Sequence, residues 1–284
     1  MSGGTMNNPL TIGYSPCPND TFLFYALMHH LVPLERISFA PPVLDDVETL
    51  NRCALRGKLD VTKLSFHALG HVLDRYEMLS AGAALGRGCG PLLIARPGAG
   101  RDVSRATIAI PGEYTTAALL LRLFLPEAGH LRIMRFEKIV RAVERAEVDY
   151  GVIIHESRFT YAAHSLACLR DLGQWWEETT GLPVPLGCIA ARRTLGDGVV
   201  REIDRALRAS VQWARANPER CMDYIRQYAQ EMDEGVLRNH IGLYVNDFTL
   251  DIGEEGRAAV TELLRRGREA GIFPAAAGTA GFQS

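Results

Sequence analysis

No stretch of this 284-residue chain is apolar for long enough to cross a bilayer. Runs such as Ala117 to Leu125 are short and broken by Arg122, well below the ~20 residues that a spanning helix needs. An excess of positive charge is missing too. Lys and Arg number 31 against 33 Asp and Glu, a formal net charge of −2, so nucleic acid or an anionic membrane surface lacks its main electrostatic support. No charged side chain precedes Asp20, and no basic segment leads into an apolar one. The N-terminal stretch therefore does not read as a secretory signal, and a cytoplasmic protein is expected. The six cysteines (Cys17, Cys53, Cys89, Cys168, Cys188 and Cys221) form no C-x-x-C pair and no cluster, which favours separate reduced thiols over a disulfide framework. Walker A, H-E-x-x-H and EF-hand patterns are lacking, as is a repeat of solenoid period. What is present is ordinary for a globular chain, 47% hydrophobic and 23% charged. At roughly 150 residues per domain, the length predicts two domains or one large one.

Strand-like and helix-like segments alternate, the signature of an α/β fold. Leu10 to Tyr14 reads as a strand, and Ser15-Pro16-Cys17-Pro18-Asn19-Asp20 as the turn that ends it. A helix is predicted over Thr21 to Leu31, where Phe24, Leu27, Met28 and Leu31 share one face. Asp46 to Leu55 and Phe66 to Arg75 read as helices flanking a strand over Asp60 to Leu64. Leu92 to Ala95 is strand-like. Thr107 to Ile110 then opens a second strand–turn–helix unit with a helix over Thr115 to Phe124. Leu131 to Phe136 reads as strand and Lys138 to Arg145 as helix, and Tyr150 to Ile154 has the continuous apolar run of a strand buried on both faces. After Leu186 to Ala191 the pattern is helical, with Asn217 and Pro218 suited to open one of those helices. The stretch after Pro274 has little to pack.

The two strand–turn–helix units matter most for function. Asn19 or Asp20 can cap the first helix, and Thr115 or Thr116 the second. Each helix start presents free N–H groups and the positive end of a dipole, a site for carboxylate or phosphate. The plainer reading is that both are ordinary caps. Gly86-Arg87-Gly88-Cys89-Gly90-Pro91 is not a dinucleotide loop, because it precedes a strand instead of following one; a bend at a crossover is expected. His67 and His71 have metal-ligand spacing but no third ligand in sight, and Trp175-Trp176 is expected to pack on the core. His155 differs: it ends an apolar strand, at the edge where ligands bind in open α/β sheets, and a neutral imidazole can accept a proton. Lys63 and Ser65 leave a strand in the same way and fit either a carboxylate or a structural ion pair.

Several of these runs together resemble the 1,4-dihydroxy-6-naphthoate synthase family of the futalosine route to menaquinone. They are the Gly13 to Phe22 opening, Leu44 to Asn51, Thr62 to Ser65, Ala84 to Gly88, Ile153 to Tyr161, Trp175 to Glu178, Gly181 to Pro183, and Tyr244 to Asn246. The resemblance implies a type II periplasmic-binding-protein-like fold, two α/β lobes around a central cleft. Residues 1–96 and 192–284 would form a discontinuous first lobe and 97–191 the second. It implies cleavage of cyclic dehypoxanthinylfutalosine, with His155 as proton acceptor and Lys63, Leu64, Ser65, Thr116 and Ala117 on the substrate. Asn19 and Asp20 would face the same cleft. A carbon–carbon cleavage driven by aromatisation needs a base and oxyanion donors but no metal or redox cofactor. The partner would be a small carboxylate-bearing futalosine derivative, not nucleic acid or membrane. Two rival readings are a small-anion solute-binding protein and the related chorismate dehydratase. The Ile154 to Arg158 run and the Ser15 to Asp20 opening favour the naphthoate synthase.

Overall fold

The computed structural model describes residues 8–99, 102–229 and 233–274, so the stretch after Pro274 lies outside the described residues. Its strands fall into two sheets. The first five are β1 (Ile12–Tyr14), β2 (Val43–Leu44), β3 (Val61–Ser65), β4 (Tyr76–Met78) and β5 (Ala84–Gly86), all in one sheet. The next five are β6 (Leu92–Ala95), β7 (Thr107–Ile110), β8 (His130–Ile133), β9 (Tyr150–Ile153) and β10 (Ala167–Asp171), all in the other. The last strand, β11 (Val184–Arg192), returns to the first sheet, where it pairs antiparallel with β3, β4 and β5. Two α/β lobes of the periplasmic-binding-protein type result, with the chain crossing between them twice.

Sheet membership moves the expected division at 96/97 and 191/192 by one strand at each crossover. Leu92–Ala95 pairs with β9 and β10 of the second sheet, and Val184–Arg192 is central to the first. Both strands are apolar and end near the expected boundary, so local pattern could not say which sheet they join. The glycine-rich loop between β5 and β6 is the crossover bend. Gly90 lies against the backbone of Gly173, where a Cβ would come within 2.2 Å of the Gly173 Cα. Arg158 clamps the same bend, donating to the Gly90 carbonyl (2.5 Å) and to Asp171 Oδ2 (2.6 Å).

Helices pack on both sheets. The first, α1 (Pro18–Met28), starts three residues earlier than the apolar periodicity predicts. Pro18 takes the first helical position, where its missing N–H costs nothing. α1 is held by a long C-terminal helix (Asp197–Ala216) whose Val200, Ile203, Leu207 and Val211 share one buried face with Leu23, Phe24 and Leu27. Each such side chain contributes about 1.5–3 kcal/mol relative to exposure. Ser210 fixes the register: its hydroxyl donates to the Leu23 carbonyl (2.7 Å) and accepts from the Leu27 N–H (3.0 Å). The helix predicted over Phe66 to Arg75 is only one turn long, Phe66–Gly70, and continues as turns. Trp176 is fully buried, with its indole N–H on the Pro183 carbonyl, as expected of a core aromatic. All six cysteines are unpaired. Among the described residues no helix is long and apolar enough to cross a membrane.

Candidate active site

A cleft of about 580 Å³ of empty space, its open mouth included, lies where the lobes meet. Asn19, Lys63, Ser65, Thr116, Ala117 and His155 all line it, so six of the eight residues picked from the sequence converge. The other two do not line it. Leu64 alternates with its neighbours on β3, so its side chain enters the hydrophobic core while Lys63 and Ser65 flank it. Asp20 is fully buried behind the cleft wall and serves Lys63 instead.

The Ser15 to Asp20 turn builds that support. Asp20 Oδ2 accepts from the Ser15 N–H (3.2 Å) and hydroxyl (2.6 Å), while Oδ1 accepts from Asn19 Nδ2 (2.8 Å) and Lys63 Nζ (2.5 Å). A buried lysine needs such a partner, because an unpaired charge out of water is costly. Neither Asn19 nor Asp20 caps the helix: Cys17 is the cap residue and makes no side-chain cap bond. Burial drives the Cys17 thiol well above its usual pKa, which keeps it a thiol and a poor nucleophile. Gly187 on β11 leaves room for the lysine stem, since a Cβ there would lie 3.2 Å from Lys63 Cε and 2.7 Å from the Leu64 carbonyl.

The opposite wall begins with α4 (Thr116–Phe124), numbered after α2 (Val47–Leu55) and the short α3 (Phe66–Gly70). Of the two threonines that the sequence offers as caps, Thr115 serves, its hydroxyl accepting from the Ala118 N–H at 3.2 Å. The Thr116 and Ala117 amides have no carbonyl to serve within the helix. Their position is fixed from the first lobe by several contacts. The Thr116 hydroxyl donates to the Leu186 carbonyl (2.5 Å), and the Tyr114 N–H donates to Glu48 (3.0 Å). Asn51 donates to both the Tyr114 carbonyl and the Ser65 hydroxyl (3.1 Å each). His67 donates from Nδ1 to the Thr115 carbonyl (3.1 Å), and burial lowers its pKa to about 3. That structural role replaces the metal-ligand reading of the His67/His71 spacing.

His155 follows β9 directly and adopts a left-handed backbone (φ +56°), unusual for a residue with a Cβ. The turn costs on the order of 1 kcal/mol and swings the imidazole out of the strand line into the cleft. Its ring meets Phe136 edge-on (5.1 Å) and stacks at 5.9 Å on His240, a fully buried residue of the C-terminal part of the chain. Burial lowers the His155 pKa to about 4; Lys63 pushes the same way, while Asp20 and Asp46 oppose. The ring is thus neutral at pH 7 and has a lone pair to accept a proton.

Sequence reasoning missed the contribution of α10 (Glu234–Tyr244), which follows α5 (Phe136–Glu144), the short α6 (Ser157–Thr160), α7 (Leu172–Thr180), α8 (Asp197–Ala216) and α9 (Pro218–Tyr228). Tyr244 lines the cleft, and His240 donates from Nε2 to Asn19 Oδ1 (2.9 Å). The signals available were their spacing of four, which puts both on one helix face, and the Tyr244 to Asn246 motif, to which no role was given.

Residues 10–269 match a family described as menaquinone biosynthesis. Two proteins named "1,4-dihydroxy-6-naphtoate synthase" are similar along nearly their full length. One, from Thermus thermophilus, is 50% identical over 267 residues (93% of this chain, 95% of the relative). The other, from Streptomyces coelicolor, is 47% identical over 275 residues (94% and 95%). A solved structure, protein AF1704 from Archaeoglobus fulgidus, superposes with a TM-score of 0.87 at 37% identity, covering 93% of this chain and 98% of that one. The periplasmic aliphatic sulphonate binding protein SsuA from Escherichia coli shares the fold alone, with a TM-score of 0.61 at 14% identity over 95% and 89% of the two chains. The chain belongs to the 1,4-dihydroxy-6-naphthoate synthase family, enzymes of menaquinone biosynthesis.

Proposed function

We propose that the enzyme converts cyclic dehypoxanthinylfutalosine to 1,4-dihydroxy-6-naphthoate as a carbon–carbon lyase, with His155 as the base. The observation that carries this reading is a neutral imidazole on one wall of a cleft whose other walls hold Lys63, Ser65 and the open start of α4. The substrate carboxylate takes the Thr116 and Ala117 amides, where the helix dipole favours negative charge, with Ser65 and Lys63 alongside. Leu64 acts only through its backbone, and Asp20 and Asn19 act by holding Lys63 and the cleft wall. His155 removes a proton from carbon, and the electron pair released is held first on an adjacent carbonyl oxygen as an enolate. That pair then returns to form a double bond of the ring that becomes aromatic. The pair of the breaking carbon–carbon bond leaves with the departing fragment, which takes the proton from His155. Closing the lobes keeps water from the reacting carbons. Site of action is the cytoplasm, a reading supported by the biosynthetic family to which the chain belongs.

Incubation with cyclic dehypoxanthinylfutalosine, followed by absorbance and mass, tests the reaction; no naphthoate would sink it. The His155→Ala enzyme is expected to lose roughly 10²–10⁴-fold in kcat with an unchanged circular dichroism spectrum. Full turnover by that variant would remove the base assignment.

A further inference from the structure

Two buried tyrosines outside the cleft have their hydroxyls bonded. Tyr14 shares a hydrogen bond with the Tyr224 hydroxyl (2.7 Å), and Tyr76 donates to the Leu59 carbonyl (2.6 Å). That is the rule for a phenol removed from water. Tyr244 differs. Its ring is buried, but its hydroxyl forms no hydrogen bond with any described residue and opens on the cleft, where it is left for a ligand. Its ring is well anchored, lying 4.6 Å from the His240 ring and within the main hydrophobic core. His240 is in turn held on Asn19, so the phenol is placed by the same network that places Lys63. Arg158, the nearby cation, is occupied by Asp171 and the Gly90 carbonyl.

We propose that Tyr244 donates a hydrogen bond to the substrate oxygen on which negative charge develops when His155 removes a proton. The inference rests on the reading of His155 given above. Removing a proton from carbon leaves an electron pair that must spread onto an adjacent oxygen. A preorganised donor in a site with little water stabilises that oxygen more than it stabilises the neutral ground state. Burial and the neighbouring Cys89 hold the phenol well above its usual pKa, so the proton stays on Tyr244 and the group acts as a donor throughout. Lys63 is less suited to this oxygen because Asp20 already takes its charge.

The test is Tyr244→Phe, which keeps the ring, its packing on His240 and the core, and removes only the hydroxyl. Its kcat is expected to fall on the order of 10²-fold with KM little changed and the same thermal midpoint. Wild-type kcat in this variant overturns the proposal. So does a loss confined to KM, or one matched by a lower thermal midpoint, since either describes a packing role. Full kcat in Tyr244→Phe beside an impaired His155→Ala overturns the tyrosine's role alone, whereas normal turnover by His155→Ala removes the base and this proposal with it. If the wild-type enzyme does not convert cyclic dehypoxanthinylfutalosine, both fail together.

Discussion

The starts of α1 and α4 are built from the same strand–turn–helix plan and face one cleft, yet they do opposite work. α1 carries Asp20 in its first turn, and that carboxylate is already occupied by Ser15, Asn19 and Lys63. An acid placed there cancels the dipole's pull on an outside anion. α4 has no acid in its first turn, and Thr115 satisfies only the Ala118 amide. The amides of Thr116 and Ala117 stay open to a ligand carboxylate. One helix start is therefore an internal support for a lysine and the other, in the function proposed above, a cradle for substrate. Each is anchored by a buried neutral histidine, His240 on Asn19 and His67 on the Thr115 carbonyl. The lesson is that a helix N-terminus becomes a ligand site only where the protein leaves its charge unanswered.

Breaking the support at α1 is expected to have the largest effect. Asp20→Ala leaves Lys63 buried without its counter-charge and is predicted to destabilise the fold by about 3–5 kcal/mol, read from urea denaturation. Combining Asp20→Asn with Lys63→Met removes both charges. That variant should regain much of the stability but not the KM. A double variant as unstable as Asp20→Ala would show that the ion pair is not what matters.

Acid should weaken both helix starts. His67 and His155 have pKa values lowered to about 3 and about 4 by burial, and His71 and His240 are lowered as well. In the unfolded chain each takes up a proton below about pH 6.5, while in the folded protein it stays neutral. The unfolded state thus binds more protons, and stability is full above pH ~6.5 and falls as the pH drops toward 4. His155 alone accounts for on the order of 3 kcal/mol across that window. Denaturation at pH 7.5, 6 and 5 reads the slope, and a flat profile would contradict the buried neutral rings.

The smallest effect sharpens the comparison at α4. Thr115→Ala removes the cap and is predicted to cost about 1 kcal/mol, with a rise in KM as the first turn loosens. Cys17→Ala, at the matching place on α1, removes no cap bond. Equal changes in KM from the two would mean that α4 holds no special place in binding.

Much of this was legible along the chain. Thr107–Ile110 and Leu92–Ala95 form where the apolar runs predict, Thr115 caps its helix, and His155 leaves β9 into the cleft. Those features depend on neighbours within a few residues. Asp20 was misplaced on the cleft surface because the residue that draws it inward, Lys63, lies 43 positions away. The outward step of Lys63 and Ser65 around Leu64 needs the position of the sheet's two faces, which an all-buried strand does not reveal.

The sequence by itself determined the alternation of strands and helices, the crossover bend and the family motifs, because period, turn chemistry and capping are local. Only the tertiary structure decided which sheet β6 and β11 join, which polar groups support the cleft and which line it, and that α10 brings His240 and Tyr244 to it. Those outcomes depend on pairing and burial between segments far apart in the chain, where charge needs a partner and a strand needs an edge, and no local pattern carries that information.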